Sequence, residues 1–205
     1  MEETVKGTVD AILTAGKQEF LTYGYEKASL RRIAANAQVT TGAIYGYFSG
    51  KEELFETLLG DGPRRLLEIY DQMHQDFKDL PEQDKKEGLT TATEEEVPKL
   101  IHFIYDHFDE FKLLLCSGKP GMAEEYFAKL AEIEEKSCWD FLDAMREMGK
   151  EPPKLDDIFV HIVCRSFFQQ IQEYITHDVP RERAVECSVV MNRFQHAGWI
   201  RITGI

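Results

Sequence analysis

The sequence predicts an all-α protein: a three-helix N-terminal domain containing a helix-turn-helix, followed by a larger helical domain. Three observations predict it. Apolar residues recur at helical spacing through most of the chain, and the alternation expected of strands is nearly absent. Two short helices, each preceded by an N-cap residue, follow one another closely between Ser29 and Tyr47. Beyond Gly50 the amphipathic segments become much longer. The boundary is expected near residue 50, giving units 1–50 and 51–205.

The elements follow in order. The first helix is expected over 4–23, with Ile12, Gly16 and Phe20 on one face and Gly24 as its stop. Ser29 stands where an N-cap belongs, ahead of a short helix from Leu30 to about Asn36. The turn Ala37-Gln38-Val39 leads to Thr40, a second N-cap, and a helix through Tyr47. Ser49 and Glu52 suit a capping box opening a long helix from about 50 toward Leu80. The polar stretch 81–96 lacks periodicity and reads as a loop. Amphipathic helices are then expected near 97–116, 121–148, 155–177 and 181–199, separated by Gly118, Pro120, Gly149, Pro152-Pro153 and Pro180.

A chain of 205 residues buries enough surface to fold without disulfide or metal staples. The four cysteines, Cys116, Cys138, Cys164 and Cys187, contain no C-x-x-C pair. Together with an acidic, polar N-terminus unlike a secretory signal, this predicts reduced thiols in a cytoplasmic protein. No apolar run reaches the ~18 residues of a membrane span.

The net charge of −13 opposes nucleic-acid binding at first sight, because affinity for phosphates comes largely from Lys and Arg. The charge is uneven, however. Between Lys27 and Lys51 the basic residues are Lys27, Arg31, Arg32 and Lys51, with no acidic residue among them. Residues 61–205 carry a net −11. A local positive footprint on an acidic body suits specific binding and disfavours indiscriminate binding.

The segment 28–55, ASLRRIAANAQVTTGAIYGYFSGKEELF, has the anatomy of a DNA-reading helix-turn-helix. A helix from Thr41 to Tyr47 would be roughly 10 Å long and fit a major groove about 12 Å wide. Gly42, Ala43 and Gly46 are small where backbone must approach DNA, Thr40 and Thr41 bring hydroxyls, and Tyr45 and Tyr47 bring aromatic bodies with polar tips. Ile33, Ala34, Val39, Ile44 and Phe48 supply the faces that hold the two helices together. Lys51 opposes the dipole at a helix start, and a nearby phosphate would account for it. Tyr45 and Phe48 also suit a core, and Arg31 and Arg32 a solvated face.

Residues 8–55, and above all the run VTTGAIYGYFSGKEEL at 39–54, resemble the DNA-binding domain of the TetR family of repressors. The resemblance implies a homodimer on double-stranded DNA, at a palindromic operator. By family pattern Thr41, Gly42 and Ala43 would face bases or the groove floor. Tyr45, Tyr47 and Lys51 would hold phosphates, assisted by Thr40 and Ser29, with Arg31 reaching base or backbone. Three positions depart from the pattern. Gln38 replaces a usual Gly in the turn, Ala43 a frequent Thr, and Gly46 a common His or larger residue.

The resemblance also implies a small-molecule effector, bound among the middle helices, that releases the repressor. Phe103, His107, Phe108, Phe111, Cys116, Trp139 and Phe168 are the candidate lining, suited to a flat, apolar or aromatic ligand, although aromatics at helical spacing also suit a core. Dimerisation is implied mainly on the last two helices. Phe159, Ile162, Val163, Phe167, Val189 and Phe194 are the candidate contacts, with Ile158 and Val190 similarly hard for a monomer to hide.

His161 and Cys164 share a helix face, but no further pair supports a metal site, and no cofactor or catalytic motif is present. The alternative is a DNA-bound architectural or cell-division factor whose C-terminal domain binds a protein partner.

Overall fold

Helical periodicity becomes helix everywhere: among the residues described by the computed structural model, 2–79, 96–147 and 149–204, no strand occurs. The helices are α1 (Glu2–Lys27), α2 (Leu30–Asn36), α3 (Thr41–Tyr45), α4 (Lys51–Leu59), α5 (Gly62–Asp79), α6 (residues 96–106), α7 (Phe108–Ser117), α8 (Met122–Glu147), α9 (Asp157–Thr176) and α10 (Arg181–Thr203). They form two compact units. One comprises Met1–Pro63 with His107–Ala123, the other Arg64–Asp106 with Glu124–Ile205. The first unit therefore reaches past residue 50 and recruits α7 from later in the chain.

The first unit is built on one apolar cluster. Ile12, Phe20, Ile33, Ile44, Leu54, Phe55 and Leu113 are wholly buried within it, with Val39 and Leu58 packed at its edge. Phe55 meets Phe20 and Tyr25 edge-on at centroid distances of 5.0 and 5.1 Å. Gly24 does break α1, with φ 72° and ψ 165°, and one further turn to Lys27 follows the break.

Two expected helices are each divided. The segment expected to run from 50 toward 80 ends at Leu59, because Gly60 takes φ 64° and α5 starts afresh at Gly62. The segment expected at 97–116 is interrupted at His107, whose φ/ψ of −112°/28° is not helical. The loop expected at 81–96 lies outside the described residues except for Glu96, which is helical.

The elbow between α4 and α5 is clasped by the start of α7. Glu110 accepts a 2.7 Å hydrogen bond from Gly62 N and lies 3.0 Å from His107 Nδ1. There is no room for a side chain here: a Cβ on Gly62 would stand 2.5 Å from Glu110 Oε2 and 2.8 Å from His107 Cβ. Gly62→Ala is therefore expected to cost about 1–3 kcal/mol through forced displacement of α7. Gly7→Ala, where no atom lies within 4 Å, is expected to be neutral or slightly stabilising. Thermal melts of the two variants check this, and equal melting temperatures would refute the clasp.

The second unit surrounds a polar interior contact. Tyr70 on α5 donates its hydroxyl to Glu134 on α8, and His74 Nε2 lies 3.1 Å from the same carboxylate. Burial by itself would raise the Glu134 pKa, but His74 and Tyr70 outweigh it and hold the carboxyl below its ordinary value. Tyr70 also packs edge-on against Phe168 of α9, at 5.5 Å. Phe159 of α9 meets Trp199 of α10 at 6.3 Å.

Candidate nucleic-acid interface

The α2–turn–α3 unit is fixed from beneath by Ile33, Ala34, Ile44 and Phe48, all buried. Its turn closes with Val39 N donating to Ala34 O at 2.9 Å. Gln38, where the family commonly has Gly, adopts φ 57°, the left-handed conformation that favours glycine. Thr40 caps α3, its Oγ1 accepting from Ala43 N at 3.1 Å. The helix is two residues shorter than expected, with Gly46 and Tyr47 forming its exit turn.

With Ile44 and Phe48 turned inward, the other face of α3 is left to solvent. Gly42, Tyr45, Gly46 and Tyr47 are exposed, Tyr45 by 58% and Tyr47 by 38%, and Thr41 and Ala43 are half-buried. Neither ring belongs to the buried cluster of the first unit. Ser29 occupies the N-cap position of α2, but its hydroxyl makes no cap bond; its backbone N–H instead donates to Glu19 Oε1 at 2.8 Å. Arg31 is exposed on α2.

Arg32 and Lys51 have structural partners. The Arg32 guanidinium donates to Glu19 at 2.8 Å and to Lys27 O at 2.7 Å, and lies 4.3 Å over the Tyr23 ring. The bond to Glu19 pushes its pKa further up. Of the two adjacent arginines, Arg32 is thus the one spent on the fold. Lys51 sends Nζ to Tyr25 O at 2.7 Å and Glu26 O at 3.2 Å, with the Tyr25 ring 4.6 Å away. It thereby satisfies carbonyls at the end of α1, where a cation is favourable. A phosphate is not needed to account for a lysine at this helix start. The capping box is also displaced by one residue: Gly50 is the N-cap of α4, and Glu53, not Glu52, accepts from Ser49 N. Glu52 pairs instead with Lys119, which holds its carboxyl below the ordinary value.

Glu19 is the buttress that sequence reasoning passed over. Its side chain is 1% exposed and it binds both Ser29 N and Arg32, fixing the entry to α2. The available signal was an acidic residue seven positions after Ile12, inside the apolar stripe of α1. Glu19→Ala is expected to lower stability by about 1–3 kcal/mol, because the Ser29 N–H loses its acceptor. An unchanged denaturant midpoint would show that water replaces the carboxylate without cost.

The candidate effector residues do not share one compact unit. His107, Phe108, Phe111 and Cys116 belong to the first, and Phe103, Trp139 and Phe168 to the second. Phe111 and Phe168 are buried and Cys116 is exposed. The second unit has a groove between α5 and α8, of about 470 Å³ in one part and 330 Å³ in the next. Asp71, His74, Lys78, Ile133, Lys136 and Asp140 line it, and none of the seven candidates does.

The candidate dimer residues differ in exposure. Ile162 and Phe194 are exposed, as are Ile158 and Val190. Phe159 and Phe167 are half-buried against Trp199 and Phe168, and Val163 and Val189 are also half-buried.

Residues 12–58 match the model of the tetR family of bacterial regulatory proteins. The repressor BepR of Brucella suis biovar 1 (strain 1330) is 43% identical over 53 residues, 26% of this chain and 25% of BepR. The HTH-type transcriptional regulator YuxN of Bacillus subtilis (strain 168) is 29% identical over 178 residues, 73% of this chain and 60% of YuxN. The chain thus spans less than two thirds of either relative's length. A crystal structure of a TetR-family regulator from Streptomyces coelicolor A3 superposes with a TM-score of 0.60 at 18% identity, covering 91% of this chain and 90% of that one. With the α2–turn–α3 geometry described above, the match identifies residues 12–58 as a DNA-binding domain of the tetR type, in a chain whose overall fold is that of the Streptomyces coelicolor regulator.

Proposed function

We propose that the chain is a homodimeric repressor that reads a palindromic operator through α3 and is released by a small molecule held in its second unit. The observation that carries the reading is α3 itself. A five-residue helix stands on its own buried Ile44 and leaves Gly42 and Tyr45, with Gly46 and Tyr47 of the exit turn, exposed. The family match over the same residues supports it.

In this reading Thr41, Gly42 and Ala43 meet the groove floor. Tyr45, Tyr47 and the Ser29 hydroxyl meet phosphates, with Arg31 reaching base or backbone. Thr40 contributes mainly by capping α3. Lys51 contributes by fixing the end of α1, and any phosphate contact it makes is secondary. The exposed rows Ile158–Ile162 and Val190–Phe194 form the dimer face.

A ligand seated in the α5–α8 groove would meet charged side chains, whereas the aromatic content of the middle helices suits a flat, apolar one. Release requires that the ligand bind more tightly to the conformation that fits DNA poorly.

Selection of bound fragments from sheared host DNA at moderate salt tests the reading. The expected product is a short palindrome with half-sites about one helical turn, ~34–36 Å, apart. Recovery of no enriched sequence would overturn it.

A further inference from the structure

The second unit contains two thiols that the regulatory reading does not use. Cys138 on α8 and Cys164 on α9 place their Sγ atoms 3.8 Å apart, although 26 positions separate them in sequence. Cys164 is buried and Cys138 half-buried. The sequence spacing of His161 and Cys164 does not develop into a metal site. His161 Nδ1 lies 2.9 Å from Glu135 Oε1, and among the described residues no three His, Cys, Asp or Glu side chains converge on a common point.

A buried cysteine is usually only a small hydrophobe. Here two of them meet sulfur to sulfur across a helix pair. Reaching the bonded separation of about 2.05 Å takes a contraction that two side chains on two helices share. We propose that Cys138 and Cys164 are a dithiol that closes reversibly to a disulfide, cross-linking α8 to α9, with a hydroperoxide as oxidant.

The more exposed sulfur reacts first. The Cys138 thiolate attacks the peroxide, an S–O bond forms as the O–O bond breaks, and the departing oxygen leaves as alcohol or water. Cys164 then displaces the sulfenic oxygen, forming S–S and releasing water. Two thiols lose two electrons and two protons, and the peroxide takes up both. Hydrogen bonding with Cys164, burial, and the carboxylates of Glu134 and Glu135 push the Cys138 thiol up, so little thiolate is present at neutral pH. The pair therefore responds to sustained peroxide and is slow toward traces of it. Because α9 also carries Ile158 and Ile162, the cross-link would fix a helix of the dimer face; that clause rests on the function proposed above.

The test treats reduced full-length protein with excess hydrogen peroxide, alkylates the remaining thiols after denaturation, and maps tryptic peptides without reductant. The expected species joins Ser137–Arg146 to Leu155–Arg165, two hydrogens lighter than their sum. It is reversed by dithiothreitol and absent from Cys138→Ser and Cys164→Ser. Oxidation confined to the exposed Cys116 and Cys187, or over-oxidation of Cys138 without a cross-link, would overturn the proposal. DNA affinity of the reduced and cross-linked forms is measured separately. A cross-link that leaves it unchanged would overturn the link to the dimer face alone.

Discussion

Phe194→Asp is expected to turn the proposed dimer into a monomer at micromolar concentration, while the far-ultraviolet spectrum and helix content of each subunit stay unchanged. Phe194 is 74% exposed, Val190 64%, Ile158 60% and Ile162 59%, so two helices each carry an apolar pair at i, i+4 in water. Scattered surface hydrophobes are ordinary, but four large ones in two rows mark a surface to be covered.

Burying a Phe side chain is worth about 1.5–3 kcal/mol. Two-fold symmetry uses every such residue twice, so the substitution removes about 3–6 kcal/mol before charge is counted. Each interface would also acquire two carboxylates without partners, a further cost. The sum corresponds to a dimer dissociation constant weakened by at least about a hundredfold. Phe159→Ala is the instructive contrast. Its ring packs on Trp199 in the same chain, so its loss should lower subunit stability more than dimer affinity. Sedimentation or light scattering across a concentration series decides the matter. A Phe194→Asp protein that remains dimeric would move the interface elsewhere.

The helix-turn-helix was legible because its signals are local. Two N-cap residues, a short turn and buried positions at helical spacing lie within about twenty residues, and α2 and α3 appear where that pattern puts them. What was not legible depended on partners distant in sequence. Lys51 looks anomalous until α1 is folded against it, because the carbonyls that hold it belong to Tyr25 and Glu26. The α4–α5 break has a local signal in Gly60-Asp61-Gly62-Pro63, but helical periodicity continues on both sides of it. The clasp of Glu110 on Gly62, 48 residues apart, explains why the break is kept.

The effector residues are the least legible in sequence, for a general reason. Aromatic content identifies what is buried, and burial in a core is the same in sequence as burial in a pocket wall. Phe111 and Phe168 are simply interior.

Tyr47→Ala and Tyr45→Ala are each expected to weaken operator binding by about 10- to 100-fold, with dimerisation and melting temperature unchanged. Both rings stand outside the core, so little packing is lost in the free protein. A hydrogen bond to a charged acceptor such as a phosphate is worth about 1.5–3 kcal/mol, and the dimer loses two of them. Much of that ~3–6 kcal/mol is recovered by water reaching the vacated phosphates, which brings the net loss down to about 10- to 100-fold.

The kind of loss separates roles on α3. A phosphate contact should weaken all DNA sequences alike and reduce the salt dependence of binding by about one ion per contact. A base contact from Thr41 should instead relax preference at one operator position and leave the salt slope intact. Ile44→Ala cannot be read this way: Ile44 is fully buried, so that variant would lose binding by releasing α3 from the core. Measuring affinity at three salt concentrations for Tyr47→Ala, Tyr45→Ala and Thr41→Ala therefore distinguishes holding from reading. If both tyrosine variants bound as tightly as the parent at every salt concentration, the outward face of α3 would not be the surface that meets DNA.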